Sequence, residues 1–395
     1  MNTAENQATP QDAVEPPPLR ELVVCSLEPW DEVWRRNQFF VDALLRRFPA
    51  LRVLFVEPPA DVLYELAQRR RPTLPRIRSL RSDGRLNALR PLKPLPRRLG
   101  SIADRVLQHR VIRAARRLGF TQPTLWLNDV TYTPLIQRTS WPTVYDVTDD
   151  WLLAPFSPRM IDRLRELDAI ALDHADEVVV CSPALAASRG ATREVTLVPN
   201  GVDSEHFQRP QPRPRDMPSA PTAVYLGTLH DSRLDVELVI ELARSLREVS
   251  VVLVGPDALP PATRRRLHAE PNIHALGSRP YTDVPAYLQH ANVIIMPHLV
   301  TPFTDSLDPI KAYECLAVST PTVATPVAGF RELSGQLTVV APESFVEAVS
   351  LALRTVPQRC ELSEPVFSWE QRASAFGRVL ARAATEASQP SEANR

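Results

Sequence analysis

The stretch Asp305-Ser306-Leu-Asp308-Pro309-Ile-Lys311-Ala-Tyr-Glu314-Cys-Leu-Ala-Val318, followed by Pro321-Thr-Val-Ala-Thr-Pro326, decides the reading of this chain. Asp308 is a good N-cap and Pro309 suits a first helical position, so the spacing predicts a helix over Pro309–Val318. The apolar runs Val293–Met296 before it and Thr322–Ala324 after it read as strands. A helix that begins just after a strand presents free backbone N–H groups and a positive dipole end, which attract an anion, and Lys311 in the first turn adds a full charge. Glu314 lies three residues on, hence on the same face and one turn deeper. Lys311 can then reach a diphosphate while Glu314 accepts hydrogen bonds from the two neighbouring hydroxyls of a ribose. The same spacing also suits an exposed ion pair on an ordinary amphipathic helix, and the stretch alone does not choose between them.

Outward from this unit the pattern repeats. Short apolar runs alternate with helix-length amphipathic segments, which predicts an α/β chain of two Rossmann-like, doubly wound domains. The first series takes Leu22–Cys25, Val53–Val56, Thr124–Leu127, Thr143–Tyr145, Val178–Cys181 and Val195–Val198 as strands, with helices near Trp34–Arg47, Ile102–Leu118 and Pro158–His174. The second takes Ala223–Leu226, Val251–Val254, Ile273–Ala275, Val293–Met296, Thr322–Ala324 and Leu337–Val340, with helices near Leu234–Arg247, Asp283–His290, Pro309–Val318 and Glu343–Arg354. The expected division is a disordered leader over 1–18, a first domain over 19–207, a proline-rich linker with a hinge over 208–221, and a second domain over 222–366. A helix follows over 367–386, with Trp369, Ala373, Phe376 and Leu380 on one side, either ending the chain plainly or crossing back to brace the first domain; 387–395 reads as a disordered tail.

Composition narrows the function classes. Forty-six basic and 46 acidic side chains cancel, which removes the global signature of a nucleic-acid binder. Neither GxGxxG nor GxxxxGK[ST] occurs, so dinucleotide and P-loop readings lose their main support. The polar, proline-rich start is neither signal peptide nor anchor, and no apolar run approaches the roughly 20 residues of a spanning helix. Cys25, Cys181, Cys315 and Cys360 form no CxxC pair and read as reduced thiols of a cytoplasmic protein. One stretch breaks the charge balance: Arg69–Arg98 holds eleven Arg or Lys against the single acid Asp83. It is either a solvated loop or a basic face toward an acidic acceptor or membrane headgroups, which leaves a peripheral contact at the inner membrane face open.

Several segments together carry a family resemblance. Glu314-Cys-Leu-Ala317-Val-Ser319-Thr-Pro321 resembles the donor-site signature of GT-B-fold glycosyltransferases of family 4 (group 1), and Pro309-Ile-Lys311-Ala-Tyr-Glu314-Cys-Leu-Ala resembles bacterial polysaccharide and teichuronic-acid-type members. Tyr145-Asp-Val-Thr-Asp-Asp-Trp151, Val198-Pro-Asn-Gly-Val-Asp203 and Tyr225-Leu-Gly-Thr228 resemble further landmarks of that family, in the right order between Glu21 and Arg382. The resemblance implies transfer of a sugar from a nucleoside diphosphate sugar, UDP-, GDP- or dTDP-linked, to an acceptor hydroxyl with retention and without a metal. The acceptor would be a glycan, a lipid-linked molecule or a small natural product. Alternatives are a catalytically inactive GT-B partner protein and a GT-B nucleotide-sugar epimerase.

It also implies roles for residues. Arg233 and Lys311 would neutralise the leaving diphosphate, with Gly227, Thr228, Asp305, Ser306, Asp308 and Glu314 completing the donor site. Ser306 stands where many members have a sugar-binding glutamate, and Ser319 where they have glycine. Ser26-Leu-Glu-Pro-Trp30-Asp-Glu-Val-Trp34-Arg35-Arg36-Asn37 replaces the usual glycine-rich loop, and Trp30, Trp34 and Arg35 are expected to border the cleft, the rings either stacking on sugars or packing in the core. Asp146, Asp149 and Asp150 follow a strand end, where parallel sheets carry functional loops. Acceptor binding or acid–base support, with Asp149 and Asp150 in the catalytic role, is preferred over helix capping or a divalent cation. Asn128 and Asp129 are weaker candidates, and His109, His174 and His230 offer no clear base.

Overall fold

The computed structural model describes residues 19–61, 76–93, 100–354 and 368–386. The expected leader and tail, Cys360 and both flanks of the basic stretch lie outside the described residues. The first sheet contains β1 (Glu21–Cys25), β2 (Arg52–Val56), β3 (Ile77–Ser79), β4 (Leu86–Leu89), β5 (Thr124–Leu127), β6 (Thr143–Val147), β7 (Glu177–Val180) and β8 (Thr196–Leu197). Its spatial order is β8-β7-β6-β5-β1-β2-β4-β3, parallel except for the β3–β4 pair. The second sheet contains β9 (Thr222–Leu226), β10 (Ser250–Val254), β11 (Ile273–Gly277), β12 (Val293–Met296), β13 (Thr322–Ala324) and β14 (Thr338–Val339), in the order β11-β10-β9-β12-β13-β14 and wholly parallel. Runs such as Val251-Val-Leu-Val254 are buried end to end because helices cover both faces of a parallel sheet.

Three helices matter for the site. Helix α1 (Arg36–Arg47) follows β1, α2 (Ile310–Val318) lies between β12 and β13, and α3 (Trp369–Glu386) closes the described chain. Helix α3 packs on the first sheet: Trp369, Ala373, Phe376 and Leu380 are all buried, and the Trp369 ring stacks on Phe39 of α1 at 4.4 Å. Gly377 permits the close approach, since a Cβ there would stand 3.0 Å from Leu44 Cδ2. The chain thus returns from the second sheet to the first. The proline-rich segment lies along the second domain, with Met217 in its core and Asp216 accepting from Arg279 (2.5 Å) and the Tyr287 hydroxyl (2.8 Å).

The described part of the basic stretch departs from the solvated-loop expectation. Ile77–Ser79 and Leu86–Leu89 form an antiparallel hairpin at the sheet edge, and three of its arginines are taken up by carboxylates: Arg78 by Glu57, Arg81 by Asp42 and Arg85 by Asp83. Charge density hid the strands because β3 has a single apolar residue, Ile77, and β4 only three.

Candidate active site

In each sheet the strand order reverses beside the first strand, between β1 and β5 in one and β9 and β12 in the other. Crevices open at the carboxyl ends of such strands. The two crevices face each other across one cavity of about 400 Å³. The first domain contributes Leu27 and Glu28 after β1, the first turn of α1, Asn128 after β5, and Thr148, Asp149 and Trp151 after β6. The second contributes Gly227, Thr228 and Arg233 after β9, His298 after β12, and Asp308 to Lys311 at the start of α2.

The helix at the decisive stretch begins one residue later than expected. Pro309 is its N-cap, and the Asp308 carboxylate does not cap it. Asp308 instead accepts from the Asn200 backbone N–H (2.6 Å) and the Tyr313 hydroxyl (2.7 Å), while its carbonyl accepts from Asn200 Nδ2 (2.6 Å). The Pro-Asn-Gly turn of the first domain is thereby sewn to the start of α2. With no side-chain cap, the helix start at Pro309, Ile310 and Lys311 lines the cavity, an arrangement that suits an anion. Lys311 Nζ meets Glu314 Oε2 at 2.7 Å, with the Glu314 side chain 3% exposed and Lys311 29% exposed. The pair expected as a surface alternative therefore exists, but its acid is buried behind the lysine. Helix α2 ends at Ser319 in a left-handed conformation, φ 56°, the position the resemblance assigns to glycine.

The acidic cluster does not converge. Asp146 takes Arg36 (3.1 and 3.3 Å) and Trp126 Nε1 (3.1 Å), Asp149 takes Arg233 (2.9 Å), and Asp150 takes Arg189 through two bonds of 3.0 and 3.1 Å. Each carboxylate is spent on a different arginine, and among the described residues no three His, Cys, Asp or Glu side chains gather as a metal-ligand set. Of the three, only Asp149 lines the cavity. Asp146 and Asp150 are buried supports, because a carboxylate sunk beside a sheet end needs a guanidinium to offset its desolvation.

Other expected site residues lie elsewhere. Trp30 and Trp34 pack edge-on against Phe55 and Phe39 and do not line the main cavity; Trp34 lies over Tyr281 and with Phe39 and Trp369 lines a separate space of about 490 Å³. Arg35 does line the cavity, but the buried arginine of that loop is Arg36, which also donates to Asn200 Oδ1 at 3.2 Å. Asp305 is held at the rim by Arg331 (2.6 Å). Ser306 is buried between the domains: its carbonyl accepts from the Ser182 hydroxyl (2.6 Å), and its own hydroxyl donates to Phe303 O (2.7 Å). Sequence reasoning missed Glu28, Arg36, Asn37, Asn200 and His298. The strand-end rule could have found Glu28 and His298, since both follow crevice strands. Asn37 donates to Ser26 Oγ (2.9 Å) and Asn128 Oδ1 (2.8 Å), tying the loop after β1 to the loop after β5.

Two side chains of the cavity titrate abnormally. Desolvation at the cavity wall raises the Glu28 carboxyl to about 7, against the pull of Arg35 at 3.4 Å, while 41% of the side chain stays exposed. His298 is pushed down to about 4, first by burial and then by the Arg233 charge, so its ring is neutral at physiological pH.

Comparison with known proteins bears on the fold and on the second domain. Residues 220–355 match the family described as glycosyl transferases group 1. A Bacillus subtilis (strain 168) protein described as a teichuronic acid biosynthesis glycosyltransferase, TuaH, is 26% identical over 220 residues, covering 51% of this chain and about half (55%) of that relative. Sucrose-phosphate synthase from Thermosynechococcus elongatus superposes with a TM-score of 0.71 at 18% identity, over 93% of this chain and 100% of that one. The HepE protein of Anabaena, solved with UDP and glucose, superposes at 0.58 and 15% identity, over 94% and 100%. The trehalose-6-phosphate protein of E. coli bound with UDP-2-fluoro glucose gives 0.61 at 10% identity, over 92% and 95%. The second domain is a glycosyl transferases group 1 domain, and the chain that carries it has the GT-B fold.

Proposed function

We propose that the protein transfers a sugar from a nucleoside diphosphate sugar to an acceptor hydroxyl, with retention of anomeric configuration. The observation that carries this is the convergence of Arg233, Lys311 and an uncapped helix start on one cavity between two strand-end crevices. The chemical difficulty is departure of a diphosphate while positive charge develops on the sugar, so fixed cations at the leaving group are the effective lever. In the free protein both cations have partners, Asp149 and Glu314. On donor binding, Arg233 forks onto the diphosphate and Lys311 turns from Glu314 to it. That turn opens the buried Glu314 carboxylate to the ribose hydroxyls. The neighbours solved with UDP or a UDP-sugar support a nucleotide sugar as donor.

These cations take the place of a metal in the proposed reaction, so turnover persists in EDTA. The three described cysteines are buried free thiols, which supports a reducing, cytoplasmic setting, and among the described residues no helix is long and apolar enough to cross a membrane. Incubation with UDP-, GDP- and dTDP-sugars, with and without an acceptor extract, tests the proposal. Nucleoside diphosphate released only with acceptor supports transfer. Conversion of the nucleotide sugar without acceptor identifies an epimerase, and no turnover with any donor identifies an inactive partner.

A further inference from the structure

A second cavity, about 640 Å³, opens off the first. The two share Trp151, Thr228 and Arg233, so the side space begins where the proposed diphosphate ligand stands. One wall is the segment Trp151–Phe156 after β6, and the other is Thr228–Arg233 after β9 with Phe303. Its chemistry is unlike that of the main cavity. Trp151 lies nearly parallel to Phe156 (6.0 Å, 22°) and packs on Phe303 (5.6 Å), while the Arg233 guanidinium covers Phe303 at 5.3 Å.

Large apolar side chains are also left in water here. Leu153 is 47% exposed, Phe156 46% and Val300 48%; only Leu197 and Leu351 share that condition among the described residues. Phe156 itself lines the cavity, Leu153 belongs to the same segment, and Val300 lies three residues before Phe303 of the opposite wall, so the exposed apolar side chains gather on the two segments that frame this space. The surface is also preorganised. Leu152 N–H donates to Asp150 Oδ1 (3.3 Å) and Leu153 N–H to Asp150 O (2.9 Å), and Asp150 is clamped by Arg189. The carboxylate expected to be catalytic thus holds the shape of this wall.

We propose that this space takes the apolar aglycone of the acceptor, so that the acceptor is a glycoside whose ring-bearing aglycone lies on Trp151 and Phe156 while its reacting hydroxyl enters the main cavity. The inference rests on the transferase reading and names the acceptor class for it. Continuity with the main cavity selects the occupant. An acceptor must meet the donor there and leave by an adjoining space, and this one is floored by aromatic faces. Among the described residues the basic side chains lining it are Arg233, committed to the donor, and His230, which lies 3.3 Å from Asp231, so a diphosphate-linked lipid finds no unpartnered fixed charge along this wall.

The test uses the full chain and matched phenyl and methyl β-glucosides, titrated calorimetrically into wild type, Phe156→Ser and Leu197→Ser. Wild type is expected to bind the phenyl glucoside about tenfold more tightly than the methyl glucoside. Phe156→Ser should erase the preference; Leu197→Ser, which alters an equally exposed leucine on the far edge strand, should keep it. Equal or undetectable binding of the two glucosides by wild type overturns the proposal. So does a preference indifferent to Phe156→Ser. Flotation of wild type but not Phe156→Ser with phosphatidylglycerol vesicles, without aglycone preference, reassigns the patch to a membrane surface and also overturns it. Titration of UDP, GDP and dTDP into the same wild-type protein reports on the donor site separately. A phenyl preference with no nucleotide bound sinks the transferase reading while the aromatic wall stands.

Discussion

Replacing Lys311 separates two jobs that one side chain performs. Its ammonium lies 2.7 Å from Glu314 Oε2, and the glutamate is almost sealed from water. Removing one member of a buried pair orphans the other charge at a cost of about 3–5 kcal/mol, and the partial exposure of Lys311 places Lys311→Met near about 3 kcal/mol. A loss of that size moves the urea midpoint far enough to read directly. Glu314→Gln removes the orphan charge, so Lys311→Met/Glu314→Gln should recover most of the stability. Turnover should not follow. If Lys311 carries the leaving diphosphate, adding Lys311→Met to Glu314→Gln costs a further 10²–10³-fold in kcat, about 2.7–4 kcal/mol. Nucleoside diphosphate release, measured for both variants at saturating donor, decides the matter. Equal turnover by Glu314→Gln and the double variant would show that the pair only braces α2, and would refute the assignment.

Three other outcomes follow from the geometry. Arg233→Ala should lose about 10²–10³-fold in kcat while its half-exposed pair with Asp149 contributes at most about 1 kcal/mol to folding, and Asp149→Asn, by freeing Arg233, should tighten nucleoside diphosphate binding in calorimetry; weaker binding by Asp149→Asn contradicts this. Glu28 holds its proton up to about 7 when folded against an ordinary 4.5, so the folded state binds that proton more tightly than the unfolded chain does, and stability falls as pH rises from 4.5 to 7 and then levels. Glu28→Gln should remove that fall, read as urea midpoints across this range; identical pH profiles would contradict it. Ser319→Gly relieves a left-handed serine and should raise stability by about 0.5–1 kcal/mol, seen as a higher melting temperature without change in turnover.

The sheets were legible because parallel strands covered on both faces are apolar throughout: Val293–Met296 and Thr322–Ala324 read from the sequence with the ends they have in the fold. The edge hairpin was not, because edge strands carry charge, as Ile77-Arg-Ser79 does. The places of Gly227, Arg233 and Lys311 at the cavity wall were legible, as residues just beyond a strand end or in a first helical turn. Trp30 and Trp34 lie off the main cavity, Trp34 lining a separate one, because residue type does not say which side of a helix start a ring will take. Asp150 and Ser306 were misread for a related reason: a polar residue near a cleft reads alike in sequence whether it faces a ligand or bridges two domains. Asn200 and Arg36 come together with Asp146 over more than a hundred residues of chain, a contact no local spacing reveals.

The most direct test of the account is a crystal structure with the nucleoside diphosphate that binds most tightly. The account predicts diphosphate oxygens about 3 Å from Lys311 Nζ, the Arg233 guanidinium and the first-turn amides of α2, with Lys311 turned away from Glu314 and the ribose hydroxyls on that carboxylate. A nucleotide bound elsewhere at full occupancy, with the Lys311–Glu314 and Arg233–Asp149 pairs still closed, would contradict it.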